Sequence, residues 1–254
     1  MESVPPLISV ITVSYNSQAT VERAIDSVIG QDWPHVEHIV IDGGSSDGTR
    51  QTLERMGPQL AFWVSEPDHG IYDAMNKGLA RATGDVVCFL NADDWYADST
   101  VLSAVAQEMG QHRLDALVAD VGFFKADNPT RMIRRYRSDR FSPSKLAWGW
   151  MPAHPGFFLK REVAQRVGPF KIDYRIAGDY EFVVRAFHGH KLRYRHLPRV
   201  LVHMQAGGAS NNGWRAKVLL NQEVLRACRE NGVSTNMAKI LSKYPAKLLE
   251  MLRL

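Results

Sequence analysis

The sequence predicts an α/β fold built on a mostly parallel, doubly wound central sheet, and three observations carry that expectation. Residues 8–13, 36–41 and 85–90 are short apolar runs, the first two rich in β-branched side chains, as strands buried on both faces are. Between them apolar residues recur with the period of a helix. Each run then ends in a polar group: Ser14-Tyr15-Asn16, Asp42-Gly43-Gly44-Ser45-Ser46-Asp47-Gly48-Thr49, and Asn91-Ala92-Asp93-Asp94. In an open parallel sheet the strand ends that share this direction converge on one edge, where such sheets bind ligands.

The elements follow in order. Val21, Ile25, Val28 and Ile29 fall at i, i+4, i+7 and i+8, the inward face of a helix that Ser17 is placed to cap. Strand, helix and strand at this spacing form a right-handed βαβ unit. The alternation continues with a helix from about Thr49, a strand at 61–65, a helix from Ile71, the strand ending at Leu90, a helix at 101–109 and a strand at 117–124. Beyond Phe124 the pattern loosens. Residues 131–136 read as a strand, 142–150 as a loop or short helix holding Trp148 and Trp150, 156–159 as a strand, and 179–188 as a buried helix with Phe182, Val183 and Ala186 inward. Gly207 to Gly213 is the strongest loop signal. Helical patterns follow at 214–231 and 235–254, and Pro245 interrupts the second.

The chain has 254 residues, 45% apolar and 23% charged, ordinary values for a folded domain with one sizeable core. Its two cysteines, Cys88 and Cys228, fall in a strand pattern and a helix pattern, so a reducing compartment is expected rather than a disulfide framework. No charged segment followed by an apolar one opens the chain, and no run approaches 18 apolar residues, so the expectation is a cytoplasmic protein without a membrane span. The net charge of +4 is uneven: from Arg215 onward there are eight basic residues and three acidic ones. The cluster Arg131, Arg134, Arg135, Arg137 and Arg140 is interleaved with Met132, Ile133 and Tyr136, which fits an element edge better than a nucleic-acid motif, so no nucleic-acid partner is expected.

Asp93 and Asp94 are the sharpest chemical signal. Adjacent carboxylates beside an apolar strand repel each other and lose hydration, and a divalent cation removes the conflict. Hard cations that carry substrate phosphates take oxygen ligands, which points to a nucleotide diphosphate. The alternative is a solvated turn that caps the helix beginning near residues 97–99. For 42–49 the alternative is a plain turn, with Asp47 capping the next helix.

These blocks resemble the signature segments of family-2 glycosyltransferases. The likeness rests on Val13-Ser14-Tyr15-Asn16, on Ile41 through Thr49, and on Leu90-Asn91-Ala92-Asp93-Asp94. A fourth block, Ser65-Glu66-Pro67-Asp68-His69-Gly70-Ile71-Tyr72-Asp73-Ala74-Met75-Asn76-Lys77-Gly78, is similar to a branch acting in bacterial polysaccharide and glycolipid assembly. The resemblance covers roughly 7–210. It implies the GT-A fold: a Rossmann-like sheet with a smaller acceptor-side region and C-terminal helices. It divides the chain into a glycosyltransferase domain at 1–213, with a nucleotide-binding half at about 1–124 and an acceptor half at about 125–213, and a basic helical appendage at 214–254.

The resemblance also implies roles. Tyr15, within Val13 to Asn16, flanks the nucleotide base, and Asp42 accepts a hydrogen bond from an N–H of uracil or thymine. Asp93 meets the ribose or the metal shell, and Asp94 ligates Mg²⁺ or Mn²⁺ on the diphosphate. Asn76 and Lys77 face phosphate, with a solvated helix face as the alternative for Lys77. Asp179, in Gly178-Asp179-Tyr180-Glu181-Phe182, matches the family's general base for an inverting single displacement, with a helix N-cap as the alternative. His154 touches donor sugar or acceptor or is a buried structural histidine. Trp148 and Trp150 offer a sugar-stacking platform or anchor a loop. His203 completes metal coordination. Many relatives have an acid where this chain has Asn91, so the metal falls mainly to Asp94.

The implied partners are a nucleotide-sugar donor and a saccharide or lipid-linked acceptor. In the tail, Lys239, Lys243 and Lys247 beside Ala238, Leu241, Leu248, Leu249, Leu252 and Leu254 either pack on the domain or meet the anionic inner face of the cytoplasmic membrane. Rival enzymes fit less well. A nucleotidyltransferase needs glycine and a base after the first strand, where Ser14-Tyr15-Asn16-Ser17 has neither. A dehydrogenase needs G-x-G-x-x-G, a spacing that Gly43, Gly44 and Gly48 do not match. A non-catalytic sugar-nucleotide-binding or scaffold subunit is the alternative from outside enzymes, and the pair Asp94 and Asp179 argues against it.

Overall fold

The computed structural model describes residues 5–125, 128–206 and 213–244. Its strands in chain order are β1 (Ile8–Ser14), β2 (Val36–Asp42), β3 (Phe62–Ser65), β4 (Val86–Phe89), β5 (Trp95–Tyr96), β6 (Ala116–Lys125), β7 (Asn128–Tyr136), β8 (Phe157–Lys160) and β9 (Tyr194–Gln205). They form one sheet in the order β3-β2-β1-β4-β8-β6-β9-β5, with β7 paired to β6. β1, β2, β3 and β4 are mutually parallel, and β9 is parallel to β6. β8 runs antiparallel between β4 and β6 and so carries the common direction from one half of the sheet into the other.

The helices are α1 (Val21–Ile29), α2 (Thr49–Met56), α3 (Ile71–Arg81), α4 (Val101–Gln111), α5 (Arg161–Val167), α6 (Gly178–Gly189), α7 (Gly213–Glu230) and α8 (Met237–Leu241). Successive strand residues point to opposite faces, so each strand feeds two cores. Ile11, Val13, Ile39, Ile41, Val87 and Phe89 pack with residues of α3, α5, α6 and α7. Ile8, Val10, Val86, Cys88 and Leu90 pack with α4, while Val40 joins α1 and α2. Both faces are covered, as a doubly wound sheet requires. Among the described residues no helix is long and apolar enough to cross a membrane.

Several elements differ from the sequence reading. Ser17 does not cap α1 with its side chain. Its carbonyl accepts the N–H groups of Thr20 and Val21 instead, and its hydroxyl donates to the Tyr15 carbonyl. β9, β5 and α5 carry no expectation at all. β9 hides because its polar residues and Pro198 break the strand pattern, since proline cannot donate to a ladder. The structure accommodates Pro198 by a register shift: Ala119 faces Leu197, the next residue Asp120 faces Val200, and Pro198 falls in the gap. Asp120, buried there, takes Arg135 at 2.6 Å, His196 at 2.7 Å and the N–H of Ser138 at 2.8 Å, which ties the β6–β7 hairpin to β9. The expected loop at 207–212 and the tail residues Lys247, Leu248, Leu249, Leu252 and Leu254 lie outside the described residues.

α3 matters most for the site because it starts at the sheet edge where the strand tips meet. Gly78 lets it approach: a Cβ there would lie 2.4 Å from Cγ2 of Ile11, a fully buried side chain of β1. Gly78→Ala is therefore expected to lower unfolding stability by about 1–3 kcal/mol through overpacking, even though alanine is the better helix former. Urea unfolding measures it, and an unchanged or raised midpoint would show that α3 is not seated this closely.

Candidate active site

A cleft of about 2340 Å³ opens along the C-terminal ends of β1, β2 and β4. The β2 tip is organised by Asp42, which is fully buried. One of its oxygens accepts from Ser14 Oγ at 2.9 Å and Ser45 Oγ at 2.5 Å. The other accepts from Ser45 N–H at 2.9 Å and Ser65 Oγ at 2.7 Å. Burial pushes the Asp42 carboxyl up, but the hydrogen bonds from Ser45, Ser65 and Ser14 outweigh it and hold it below the usual carboxylate range. Asp47 ties the next turn back to α1, accepting from Thr49 Oγ1 at 2.6 Å and from the N–H of Gln18 at 3.1 Å.

Tyr15 stands 67% exposed on the rim. It is presented by Asn16, whose φ of +48° is left-handed and whose side-chain oxygen accepts from the Ser46 N–H at 3.0 Å. Sequence reasoning missed Asp68 as a wall residue. A Cβ on Gly43 would lie 2.5 Å from Asp68 Oδ2, so the Asp68 carboxylate fills the space a side chain at 43 would take. The signal was available: glycine stands right after Asp42, and Asp68 lies inside a quoted block.

At the β4 tip Asp94 is 1% exposed, and its carboxyl sits well above the usual range, first because of burial and then because of Asp93. Asp93 is raised by burial as well. Arg23 stacks 3.8 Å from the Trp95 ring centroid and donates to the Asp93 carbonyl at 3.2 Å. Asn91 Nδ2 lies 3.5 Å from Asp94 Oδ2, while Asn91 Oδ1 is buried with no partner. Among the described residues no group of three His, Cys, Asp or Glu side chains is arranged to hold a metal. Two carboxylates and an orphaned amide oxygen do suit an ion that takes its remaining ligands from substrate phosphates and water, as Mg²⁺ does.

The opposite wall carries Asp179 in the first turn of α6. Burial raises its carboxyl above the usual range, and nearby His154 pulls it down. His154 stacks on Phe89 at 5.4 Å, and burial lowers its own pKa. The segment before Asp179 is clamped from two sides. Tyr72 Oη donates to the Ile176 carbonyl at 2.7 Å. Glu223 of α7, only 6% exposed, accepts the N–H groups of Arg175, Ile176 and Ala177 at 2.8, 2.9 and 2.8 Å. Glu223 was not foreseen, because nothing in a helical run of a basic tail distinguishes one glutamate.

The cleft thus gathers Val13, Tyr15, Asn16, Asp93, Asp94, His154 and Asp179. Six other nominated residues are not on its wall. Asp42 lies beneath it with both oxygens engaged. Asn76 spends its amide on Phe170, donating to the carbonyl at 2.8 Å and accepting the N–H at 2.7 Å. His203 is packed 4.3 Å from Phe124 and edge-on to Trp95. Trp148 is 44% exposed under the Lys239 ammonium, and Trp150 is half-buried beyond Gly149. Lys77 is held by Glu66 at 2.8 Å and the Pro67 carbonyl at 3.1 Å.

With this geometry in hand, comparison with known proteins is direct. The profile of Glycosyl transferase family 2 matches residues 9–168. A PGL/p-HBAD biosynthesis glycosyltransferase of Mycobacterium bovis is 30% identical over 212 residues, covering 81% of this chain and 80% of that one. Staphylococcus aureus TarS 1-349 in complex with UDP-GlcNAc superposes with a TM-score of 0.68 at 20% identity, over 86% of this chain and 66% of that one. The mannosyltransferase PcManGT of Pyrobaculum calidifontis, in complex with GDP-Man and Mn²⁺, gives a TM-score of 0.64 at 21% identity over 97% and 81%. At these identities the two structures establish the GT-A-like fold.

The Glu223 clamp has a direct readout. Glu223→Ala takes the acceptor from three backbone N–H groups, that of Ala177 buried, so hydrogen–deuterium exchange in the peptide containing 175–177 is expected to quicken by tenfold or more, while the β1 peptide is unchanged. Unaltered exchange at 175–177 would show that the carboxylate does not hold this segment.

Proposed function

The chain belongs to Glycosyl transferase family 2 and is a transferase, and from that premise we propose that it moves a sugar from a nucleotide-diphosphate donor to an acceptor hydroxyl by inverting displacement, with Asp179 as general base. The observation that carries this reading is the placement of one half-buried carboxylate, Asp179, across a single cleft from the Asp93–Asp94 pair.

Tyr15 offers an exposed ring for the base to stack on. Asp68 takes the part of reading a base N–H, because its carboxylate reaches the cleft while Asp42 is occupied in holding three strand ends. The UDP-GlcNAc bound by TarS supports a uridine donor for this fold. Asp94, with Asp93 and Asn91 Oδ1 beside it, would hold a divalent cation whose chemistry is to neutralise charge on the departing diphosphate, as the Mn²⁺ beside GDP-Man in PcManGT suggests.

The acceptor hydroxyl loses its proton as it attacks the anomeric carbon. Asp179 receives that proton, and its raised pKa brings it nearer the working pH than an exposed carboxylate would be. His154 lines the same wall, and its pKa is lowered by burial and raised by the charge of Asp179. The acceptor is a saccharide or lipid-linked glycan of the cell envelope, in keeping with the biosynthetic name of the mycobacterial relative. Exposed Trp214, Val218 and Leu241 beside Arg215 and Lys239 suit peripheral contact with an anionic membrane.

Two measurements test this reading. Asp179→Asn is expected to cut kcat by about 10²–10⁴ while nucleotide affinity holds. In the wild type the rate should fall with acid at a pH above the ordinary carboxylate range, because only the deprotonated form accepts the proton. Transfer at the wild-type rate would remove the base assignment. For the cation site, UDP with Mn²⁺ at a hundredfold excess over Kd should raise the wild-type melting temperature by about 5–10 °C. Asp94→Asn should melt higher than wild type without ligand, having lost a buried charge, and gain little from Mn²⁺. An equal Mn²⁺ response in both proteins would exclude Asp94 as a ligand.

A further inference from the structure

Arg23 breaks three local rules at once. It lies in the first turn of α1, where the helix dipole favours anions over cations. It is half-buried, and burial lowers its pKa against the pull of Asp93 and Asp94. Its Nε is buried with no hydrogen-bond partner among the described residues. Local rules are broken where a residue serves a site, so its contacts are informative.

Those contacts converge on one turn. Arg23 Nη2 donates to the Asp93 carbonyl at 3.2 Å, and the guanidinium lies 3.8 Å from the centroid of the Trp95 ring. Asp94 is thereby bracketed on both sides in sequence. The same Nη2 donates to Gln205 Oε1 at 3.2 Å, at the end of β9, and Trp95 pairs with His203 of that strand. One turn further along α1, Ser27 Oγ accepts the Tyr96 N–H at 3.2 Å. Burial raises the carboxyls of Asp93 and Asp94, and the Arg23 charge draws both back. Asp93, Asp94 and Gln205 line the cleft, whereas Arg23 stands behind them.

We propose that Arg23 is a positioning residue of the cation site: its guanidinium ties the Asp93–Asp94 turn to the end of β9, so that both carboxylates are set for a divalent cation before the nucleotide diphosphate arrives. The proposal rests on the sugar-transfer reading above and its cation, and adds the residue that shapes that site from behind. A planar guanidinium stacks on Trp95 while donating in its own plane to both oxygens, which the point charge of a lysine ammonium does not reproduce. Charge alone acts in the opposite sense. A fixed cation repels a second one, so a purely electrostatic Arg23 would weaken metal binding, and its removal would tighten it.

Titration calorimetry of the full chain with UDP, in saturating Mn²⁺ and in EDTA, separates these roles. Arg23→Lys keeps the charge, and Arg23→Met keeps only an apolar stem over Trp95. In both, the factor by which Mn²⁺ tightens UDP binding should fall about tenfold, while UDP affinity in EDTA changes less than about twofold. Without ligand, hydrogen exchange in the peptide containing 93–96 should quicken about threefold or more in both variants. Arg50→Gln, which removes an exposed charge paired with Glu54 on α2, should change none of these. An unchanged Mn²⁺ factor or unchanged exchange in Arg23→Lys would overturn the proposal. Equal losses with and without Mn²⁺, the mark of general destabilisation, would overturn it too, as would tighter Mn²⁺-supported binding in Arg23→Met. If Arg23→Met does not fold, Arg23→Lys decides. A wild type whose UDP affinity ignores Mn²⁺ would remove the cation reading, and this inference with it.

Discussion

One buried carboxylate organises the edge of the sheet where β1, β2 and β3 end. Asp42 sits at the end of β2 and receives donors from the ends of β1 and β3 as well as from its own following loop. Removing this single acceptor would take the partner from several donors at once, so the three strand tips and the 42–49 loop stand or fall together. Because β1, β2 and β3 are in parallel register, fixing their tips fixes where Tyr15, Asn16 and Asp68 present themselves. A residue beneath the cleft thereby sets the shape of its wall.

The wall that carries Asp179 follows a similar principle with a different donor set. Glu223 engages backbone N–H groups rather than hydroxyls, and its effect is to hold the turn that leads into Asp179. Each wall of the cleft has one carboxylate held by several donors, Asp42 or Glu223, and one whose carboxyl is raised above the usual range, Asp94 or Asp179. Burial is the leading cause of the raised carboxyl in both.

Much of this was legible in the sequence where chemistry and periodicity coincide. The β1, β2 and β4 runs and the helices between them follow from apolar spacing, and the three polar tips follow from where those runs stop. Asp179 needed a family resemblance, since a carboxylate opening a helix is indistinguishable from a cap. Asn76 illustrates the limit. It lies on the right helix near the right edge, yet its amide is consumed by Phe170, 94 residues away in sequence. β9 was illegible because its pairing depends on a register shift around Pro198 that no local pattern encodes. Long-range hydrogen bonding leaves no periodic trace, which is why the engagement of Asn76 and the clamp by Glu223 escaped notice.

Glu223 has one more consequence, for the order in which the molecule becomes competent. Its carboxylate lies 46 residues after Ala177, whose N–H it receives. A chain emerging from the ribosome can assemble β1 through β4, and with them the nucleotide-side wall, well before α7 is synthesised. During that interval the turn ahead of Asp179 has no acceptor for its N–H groups and no reason to adopt its final path. The segment that carries Asp179 therefore takes its final path only after α7 docks, so the two walls of the cleft are completed in the order of the chain.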